Sequence, residues 1–218
     1  MEIKLSQTSK LSCQSWSIPA IIGCNRGCQL AKLANSVCSG CYATKGSYRF
    51  PIVKTAREIN MLNYISNPNL WAEHMIAILH NKKLFRWFDS GDILTIEMLE
   101  KIVEIAIKIP TCEFWLPTRE IDIIKKWITE NKIPDNLNIR ISADFIGIGS
   151  LLKLRDEFKK ISSNSFELTF SGVDSNDGLY NPDNLCLATW EHEETDGKCG
   201  NCKKCWDKSQ EFVIYKKH

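Results

Sequence analysis

Ten cysteines stand in a chain of 218 residues, and eight of them fall into two groups of four. Cys24, Cys28, Cys38 and Cys41 follow the spacing C-x3-C-x9-C-x2-C, and Cys186, Cys199, Cys202 and Cys205 follow C-x12-C-x2-C-x2-C. Thiols this close together are ligands for soft metals, and two chemistries accept such a set. Iron–sulfur clusters are held by cysteine thiolates, and C-x2-C steps let neighbouring sulfurs face one cluster. Zinc takes four thiolates as well, usually from two short knuckles on a small module of their own. The first group opens what reads as an α/β pocket, which favours an iron–sulfur cluster there. The second contains CGNCKKC (199–205), the start of a ferredoxin-type run without its closing x3-C-P, with Cys186 as the fourth ligand from a distance. Zinc is the alternative at both groups, and ligands from both ends of the chain could share one site. Cys13 and Cys112 are left over and read as small buried hydrophobes.

The totals narrow the setting. Lys and Arg number 28 against 26 Asp and Glu, so no basic excess asks for a nucleic-acid backbone or an anionic membrane as partner. The start, MEIKLSQTSKLSCQSW, has no apolar h-region, so no signal peptide is expected. No apolar run approaches the length of a membrane span. A cytoplasmic protein is expected, and in a reducing compartment the cysteines do not read as disulfides.

The elements that must position these thiols follow a βα beat. Residues 1–14 read as an irregular lead-in and SWSIPAII (15–22) as a short strand. Helical spacing covers 51–67 and 70–81, with Asn67-Pro68 as the turn between them. Strands are expected at LFRWF (84–88), EFWLP (113–117), NIRIS (138–142) and FELTF (166–170), and LCLAT (185–189) is a candidate for one more. Helices are expected from Thr95, as N-cap, to Ile109, from about Arg119 to Asn131, and from about Ser150 to Ile161. GIGS (147–150) reads as a loop, and EHEE (191–194), with His192, as a solvated one. The result is a mainly parallel sheet of five to six strands in one α/β domain over 1–218, as a partial (βα) barrel or an open sheet. The first cysteine loop (24–41) leaves the first strand. Residues 186–206 form a cysteine-rich extension of the same domain, expected to fold around metal rather than around a core.

In either fold, ligands sit at the C-terminal ends of the strands. The residues there are polar: Asp89, Ser90, Gly91 and Asp92; Thr118 and Arg119; Ser142 and Asp144; Ser171, Gly172 and Asp174. Taken with the cysteine loop, and with the cysteine tail if LCLAT is a strand, they point to one active face. DSGD (89–92) is also a common strand-to-helix turn that needs no function. Arg119 and Asp144 suit a charged ligand group, or a structural ion pair. Tyr42, Lys45, Tyr48 and Arg49 follow the cysteines closely enough to line a pocket.

SWSIPA (15–20), the cysteine loop ending in Cys-x2-Cys-Tyr-Ala with KGSY (45–48), RWFDSGD (86–92), FWLPTR (114–119) and CGNCKKCW (199–206) together resemble a family of phage-encoded proteins known as gene product 88. That resemblance implies a phage or prophage origin, with action in the cytoplasm of a bacterial host. A looser similarity is to radical SAM enzymes, partial βα barrels with a [4Fe–4S] cluster in the loop after the first strand. There three cysteines hold the cluster and S-adenosyl-L-methionine fills the open iron. The spacing here differs, with nine residues between Cys28 and Cys38. On that pattern Cys24, Cys38 and Cys41 would be the three ligands, with Cys28 spare or a fourth. Asp89, Ser90 and Asp92 would orient the ligand, Gly91, Tyr42 and Lys45 would contact it, and Arg119 and Asp144 would hold a charged group. The similarity implies an iron–sulfur enzyme with one or two clusters, a small-molecule substrate and an electron donor. The other class of reading is a metal-stabilised binding module, without catalysis, for a host protein or nucleic acid.

Overall fold

The computed structural model describes residues 1–161, 168–175, 181–190 and 192–217. Seven strands form one sheet in the order β1-β2-β3-β4-β5-β6-β7: Leu5–Gln7, Gln14–Trp16, Leu84–Trp87, Glu113–Thr118, Leu137–Ser142, Thr169–Asp174 and Phe212–Lys216. The β1–β2 pair is antiparallel and every other pair is parallel. The order runs straight through, without the reversal that marks a doubly wound sheet. Right-handed crossovers of that kind all fall on one face.

Eight α-helices lie among the described residues: α1 Asn25–Leu30, α2 Pro51–Ser66, α3 Pro68–Leu79, α4 Ile96–Lys108, α5 Ile121–Ile128, α6 Ile148–Ile161, α7 Leu187–Trp190 and α8 His192–Thr195. The long ones start where the chemistry of the sequence says they should. Thr95 accepts a hydrogen bond from the Met98 amide at 3.1 Å, and Asn67 accepts one from Leu70 at 2.9 Å. None of these helices is long and apolar enough to cross a membrane.

Register decides what each face of the sheet carries. Phe85, Phe114 and Leu137 are paired neighbours, and they point into the core under the helices with Trp16, Trp71, Trp87, Leu99 and Ile102. The alternate residues Ser15, Arg86, Trp115, Asn138, Arg140, Thr169 and Ser171 line the other, inner face. In β5 the sequence LNIRIS alternates apolar and polar, the pattern of a strand with one wet face. Yet all six of its residues are buried. The inner face is covered by the chain's own tail: Trp206 Nε1 donates to the Phe85 carbonyl at 3.0 Å, and Asn138 Nδ2 donates to the Cys205 carbonyl at 2.9 Å.

Several expectations are corrected here. Among the described residues the strands number seven, because the lead-in holds β1 and the tail holds β7. Val213 and Ile214 of β7 are fully buried, so the tail does contribute to a core. LCLAT is not a strand: Leu185 makes one bridge to Ile214 and α7 follows. Pro19 holds the first βα strand to Gln14–Trp16, shorter than SWSIPAII, and GIGS enters α6 at Ile148 rather than remaining a loop. Residues 166 and 167 of FELTF, Glu191 and the His192 side chain lie outside the described residues. Cys13 and Cys112 are both buried, at 6% and 0% exposure.

Candidate metal centres

The first cysteine loop is strapped to the strand ends by its neighbours. The backbone turns abruptly just before the loop and at the end of β3: Ile21 (φ 70°) and Phe88 (φ 51°) both take the left-handed conformation, which a β-branched or aromatic residue adopts only when its surroundings demand it. The Asp92 amide donates to the Gly23 carbonyl at 2.8 Å, and Ser90 Oγ donates to the Ile18 carbonyl at 2.8 Å. A side chain at Gly91 has no room, since a Cβ there would stand 2.3 Å from Ile18 Cγ1, and the φ is +78°.

Arg26, inside the loop, is the residue that sequence reasoning missed. Its guanidinium grips Asp144 with three contacts of 3.1, 3.1 and 2.6 Å, and its amide donates to Glu120 Oε1 at 2.9 Å. Asp144 in turn accepts the Val37 amide at 2.8 Å through its carbonyl, and the Ser36–Phe145 bridge extends that tie. The available signal was a lone arginine between two ligand-type cysteines with acidic residues at three strand ends.

Within this frame two thiols come together. Cys24 and Cys38 sulfurs both lie beside Gly27, 3.6 and 3.7 Å from where its Cβ would be. The Cys24 thiol is pushed up to about 12 by burial, then by the charges of Asp92, Cys41 and Cys38. Cys38 is raised by burial and by Cys41, Asp92 and Asp144, with Arg119 opposing. Cys28 turns away, its thiol on the Asn25 carbonyl at 3.1 Å.

The other expected site residues fall as follows. Asp92 is buried; its carboxylate accepts Thr118 Oγ1 at 2.6 Å and the Arg119 amide at 2.8 Å. Burial raises its pKa against those hydrogen bonds. Asp89 is also buried, and its oxygens receive Ser17, Arg57 at 3.4 Å and Tyr48 at 3.5 Å. Tyr42 is half-exposed and donates to the Asp89 carbonyl at 2.7 Å. Asp89, Tyr42 and Tyr48 thus lock the end of the cysteine loop to β3. Arg119 Nε reaches the Ala143 carbonyl at 3.3 Å. Lys45 is exposed on the loop's rim. Ser142 and Ser171 share a hydrogen bond of 2.9 Å at the adjoining strand ends. Glu120, not singled out in the sequence, is pushed up to about 7 by burial and by Asp92.

The second group sits elsewhere, which corrects the expectation of a single active face. The Cys199 amide donates to the Lys10 carbonyl at 2.8 Å and the Cys186 amide to Ile214 at 2.9 Å. Cys205 Sγ meets Tyr215 Oη at 3.3 Å. These anchors place the group on the inner face, beside the first residues of β3 and β5. Burial is the leading cause that raises the Cys186, Cys199 and Cys205 thiols, with mutual repulsion adding to it; Cys199 reaches about 12 and Cys205 about 11.

Among the described residues, no three His, Cys, Asp or Glu side chains stand together as they would around one ion. A tetrahedral zinc site draws its sulfurs to about 3.8 Å from each other. The donor chemistry still suits a metal-thiolate centre. Buried thiols with raised pKa values stay neutral alone and ionise when a cation takes the place of their protons.

A family model described as Gene product 88 matches residues 2–208. No curated protein and no solved structure matches the chain.

Proposed function

The chain belongs to the Gene product 88 family, and we propose that it is an iron–sulfur enzyme with a radical-SAM-like arrangement at the ends of its parallel strands. Cys24, Cys38 and Cys41 would hold a [4Fe–4S] cluster, leaving one iron open for S-adenosyl-L-methionine or another small substrate. The observation that carries this reading is the placement of the Cys24 and Cys38 sulfurs side by side over the strand ends, while the Cys28 thiol is spent on the Asn25 carbonyl. When bound, such a cluster supplies low-potential electrons or a Lewis-acidic iron.

The chain's own residues supply the rest. Gly27 lets the Cys24 and Cys38 sulfurs approach one another. Arg26, tied to Asp144 and Glu120, fixes the loop over the strand ends. Arg119 holds a positive charge beside Cys38, where a thiolate centre or an anionic ligand group needs it. Glu120, buried beside the Arg26 amide with its pKa pushed up to about 7, could pass a proton to or from a ligand. Asp89 and Asp92 act through position, each binding backbone or side-chain donors that shape the floor.

The test is anaerobic reconstitution with iron and sulfide, followed by incubation with a reductant and S-adenosyl-L-methionine. Formation of 5′-deoxyadenosine or methylthioadenosine supports the reading. A fully loaded cluster that never cleaves or binds S-adenosyl-L-methionine sinks the radical version and leaves a cluster enzyme for another substrate.

One observation favours the reading as a binding module. Ile21, Ile22, Leu33, Phe50 and Ile52 are exposed at 38 to 79% around the cysteine loop. An apolar rim of this kind suits a protein partner, either an electron donor or a host target.

A further inference from the structure

We infer that the cap formed by the cysteine loop and the first turn of α2 is a docking surface for an acidic protein, one that presents carboxylates around an apolar centre. The inference deepens the reading of the apolar rim given above and rests on it. It needs no metal in the loop.

The first observation is how charge is distributed. None of the chain's 26 acidic residues falls within residues 3–57, where an even spread would place about six or seven. The same stretch carries eight Lys and Arg. Three of these meet acids from outside it: Lys4 meets Glu2, Arg26 meets Asp144 and Asp122, and Arg57 meets Asp89. Lys10 lies in the β1–β2 turn, at the far end of the sheet. The other four, Lys32, Lys45, Arg49 and Lys54, are exposed on the cap, and none makes an ion pair among the described residues.

The second observation is where two of these cations stand. Arg49 and Lys54 flank the start of α2, the positive end of a 16-residue helix, where carboxylates are the favoured residues. The N-cap Phe50 offers no side-chain acceptor, and the first turn holds no acidic residue. Like charge is thus stacked on like charge, and carboxylates brought from outside relieve it.

The third is that apolar groups are interleaved with the cations. Phe50 and Ile52, at 58% and 79% exposure, fall between Arg49 and Lys54, and exposed Leu33 follows Lys32. An apolar centre within a charged rim is the anatomy of a protein–protein interface. The surface is also held in place beforehand. Tyr42 Oη donates to the Asp89 carbonyl at 2.7 Å, the Tyr42 and Tyr48 rings meet edge to face at 5.5 Å, and the Arg57 guanidinium covers Tyr48 at 4.6 Å. A preformed surface loses little freedom on binding. Aliphatic Ile21, Ile22, Leu33 and Ile52 give a phosphate backbone nothing to hold, which favours protein over nucleic acid. Exposed Asn35, Ser39, Thr44 and Ser47 interrupt the apolar residues, so the cap lacks the continuous apolar face that lies in a bilayer surface.

The test selects a displayed library of random peptides on the immobilised full chain. The chain carrying Lys45→Glu, Arg49→Glu and Lys54→Glu serves for counter-selection. Enriched peptides should join Asp or Glu to aliphatic or aromatic residues. Their binding should weaken about tenfold or more in the triple variant and fall as salt rises. Lys126→Glu, Lys132→Glu and Lys153→Glu together reverse three exposed cations elsewhere, and should change binding by less than about threefold. Phe50→Ser with Ile52→Ser should weaken it as well. If the first triple variant does not fold, Lys45→Glu and Arg49→Glu singly give the same comparison.

Enriched peptides without acidic bias, or equal losses in the two triple variants, overturn the acidic partner and leave only the apolar rim. No enrichment over the counter-selected chain overturns both. Tighter binding of an oligothymidylate, or of phosphatidylserine vesicles, than of the best peptide gives the surface to nucleic acid or membrane and overturns the inference. None of these readouts passes through S-adenosyl-L-methionine cleavage, so failure here and failure of the enzyme reading are told apart.

Discussion

The clamp between Arg26 and Asp144 decides where the cysteine loop sits, so its removal has a size that can be worked out. Arg26 is 31% exposed and Asp144 is 12% exposed, with contacts of 2.6 to 3.1 Å. The pair therefore lies between a surface bridge, worth up to about 1 kcal/mol, and a buried one, whose rupture costs about 3–5 kcal/mol. Arg26→Met leaves Asp144 largely buried with no cation, and a loss of about 2 kcal/mol is expected after allowing for solvent at the arginine. Asp122, 84% exposed at 3.4 Å, adds little. Asp144→Asn removes the charge that Arg26→Met strands, so the double variant should be less unstable than the sum. The expected coupling is about 1–2 kcal/mol, read from urea unfolding of the reduced, metal-free protein. With a slope of about 2 kcal/mol per molar, the Arg26→Met midpoint should fall by about 1 M. The loop should loosen too, and the Cys24 and Cys38 thiols should react faster with a disulfide reagent in both single variants. Additive losses, with thiol reactivity unchanged, would refute the claim that this pair positions the loop.

Other outcomes follow from single residues. Gly91→Ala meets Ile18 at 2.3 Å and a φ of +78°, so it should destabilise the protein by about 2–5 kcal/mol in chemical unfolding. Glu120 has its pKa raised from 4.5 to about 7 by burial and by Asp92, so the folded state keeps a proton that the unfolded chain has released. Stability is therefore lost as pH rises through that window, and Glu120→Gln, which cannot ionise but can still accept the Arg26 amide, should lose about 1–2 kcal/mol less than the native chain between these limits. A flat difference between the two across pH would contradict the placement of Glu120. Trp206→Phe removes the donor to the Phe85 carbonyl but keeps much of the ring packing on Trp115, so a loss of about 1 kcal/mol in urea unfolding is expected.

The sequence carried the βα beat clearly, because each strand and helix there is local. Thr95 and Asn67 mark their helices with cap chemistry, LFRWF and EFWLP are largely apolar runs, and NIRIS alternates apolar with polar residues. The two strands it hid have no such local mark. β1 is three residues long, and β7 follows a cysteine run that looks like metal scaffolding. Only pairing with β2 and β6 makes them strands. The site was half legible for the same reason. Spacing picks out the cysteines and strand position picks out DSGD, but Arg26, Arg57 and Arg140 act through partners 118, 32 and 64 to 70 residues away. Polar residues alternating in β5 suggested a wet face, whereas the tail that buries it is remote in sequence. That long-range cover also moves the second cysteine group off the active face.

The central claim is that Cys24, Cys38 and Cys41 hold a cluster and Cys28 does not. The most direct measurement is iron and sulfide content, with Mössbauer spectra, of anaerobically reconstituted Cys28→Ser and Cys38→Ser chains on a background lacking Cys199 and Cys202. The account predicts a [4Fe–4S] signal retained in Cys28→Ser and lost in Cys38→Ser. Equal loss in both, or a native loop that binds zinc and no iron, would contradict it.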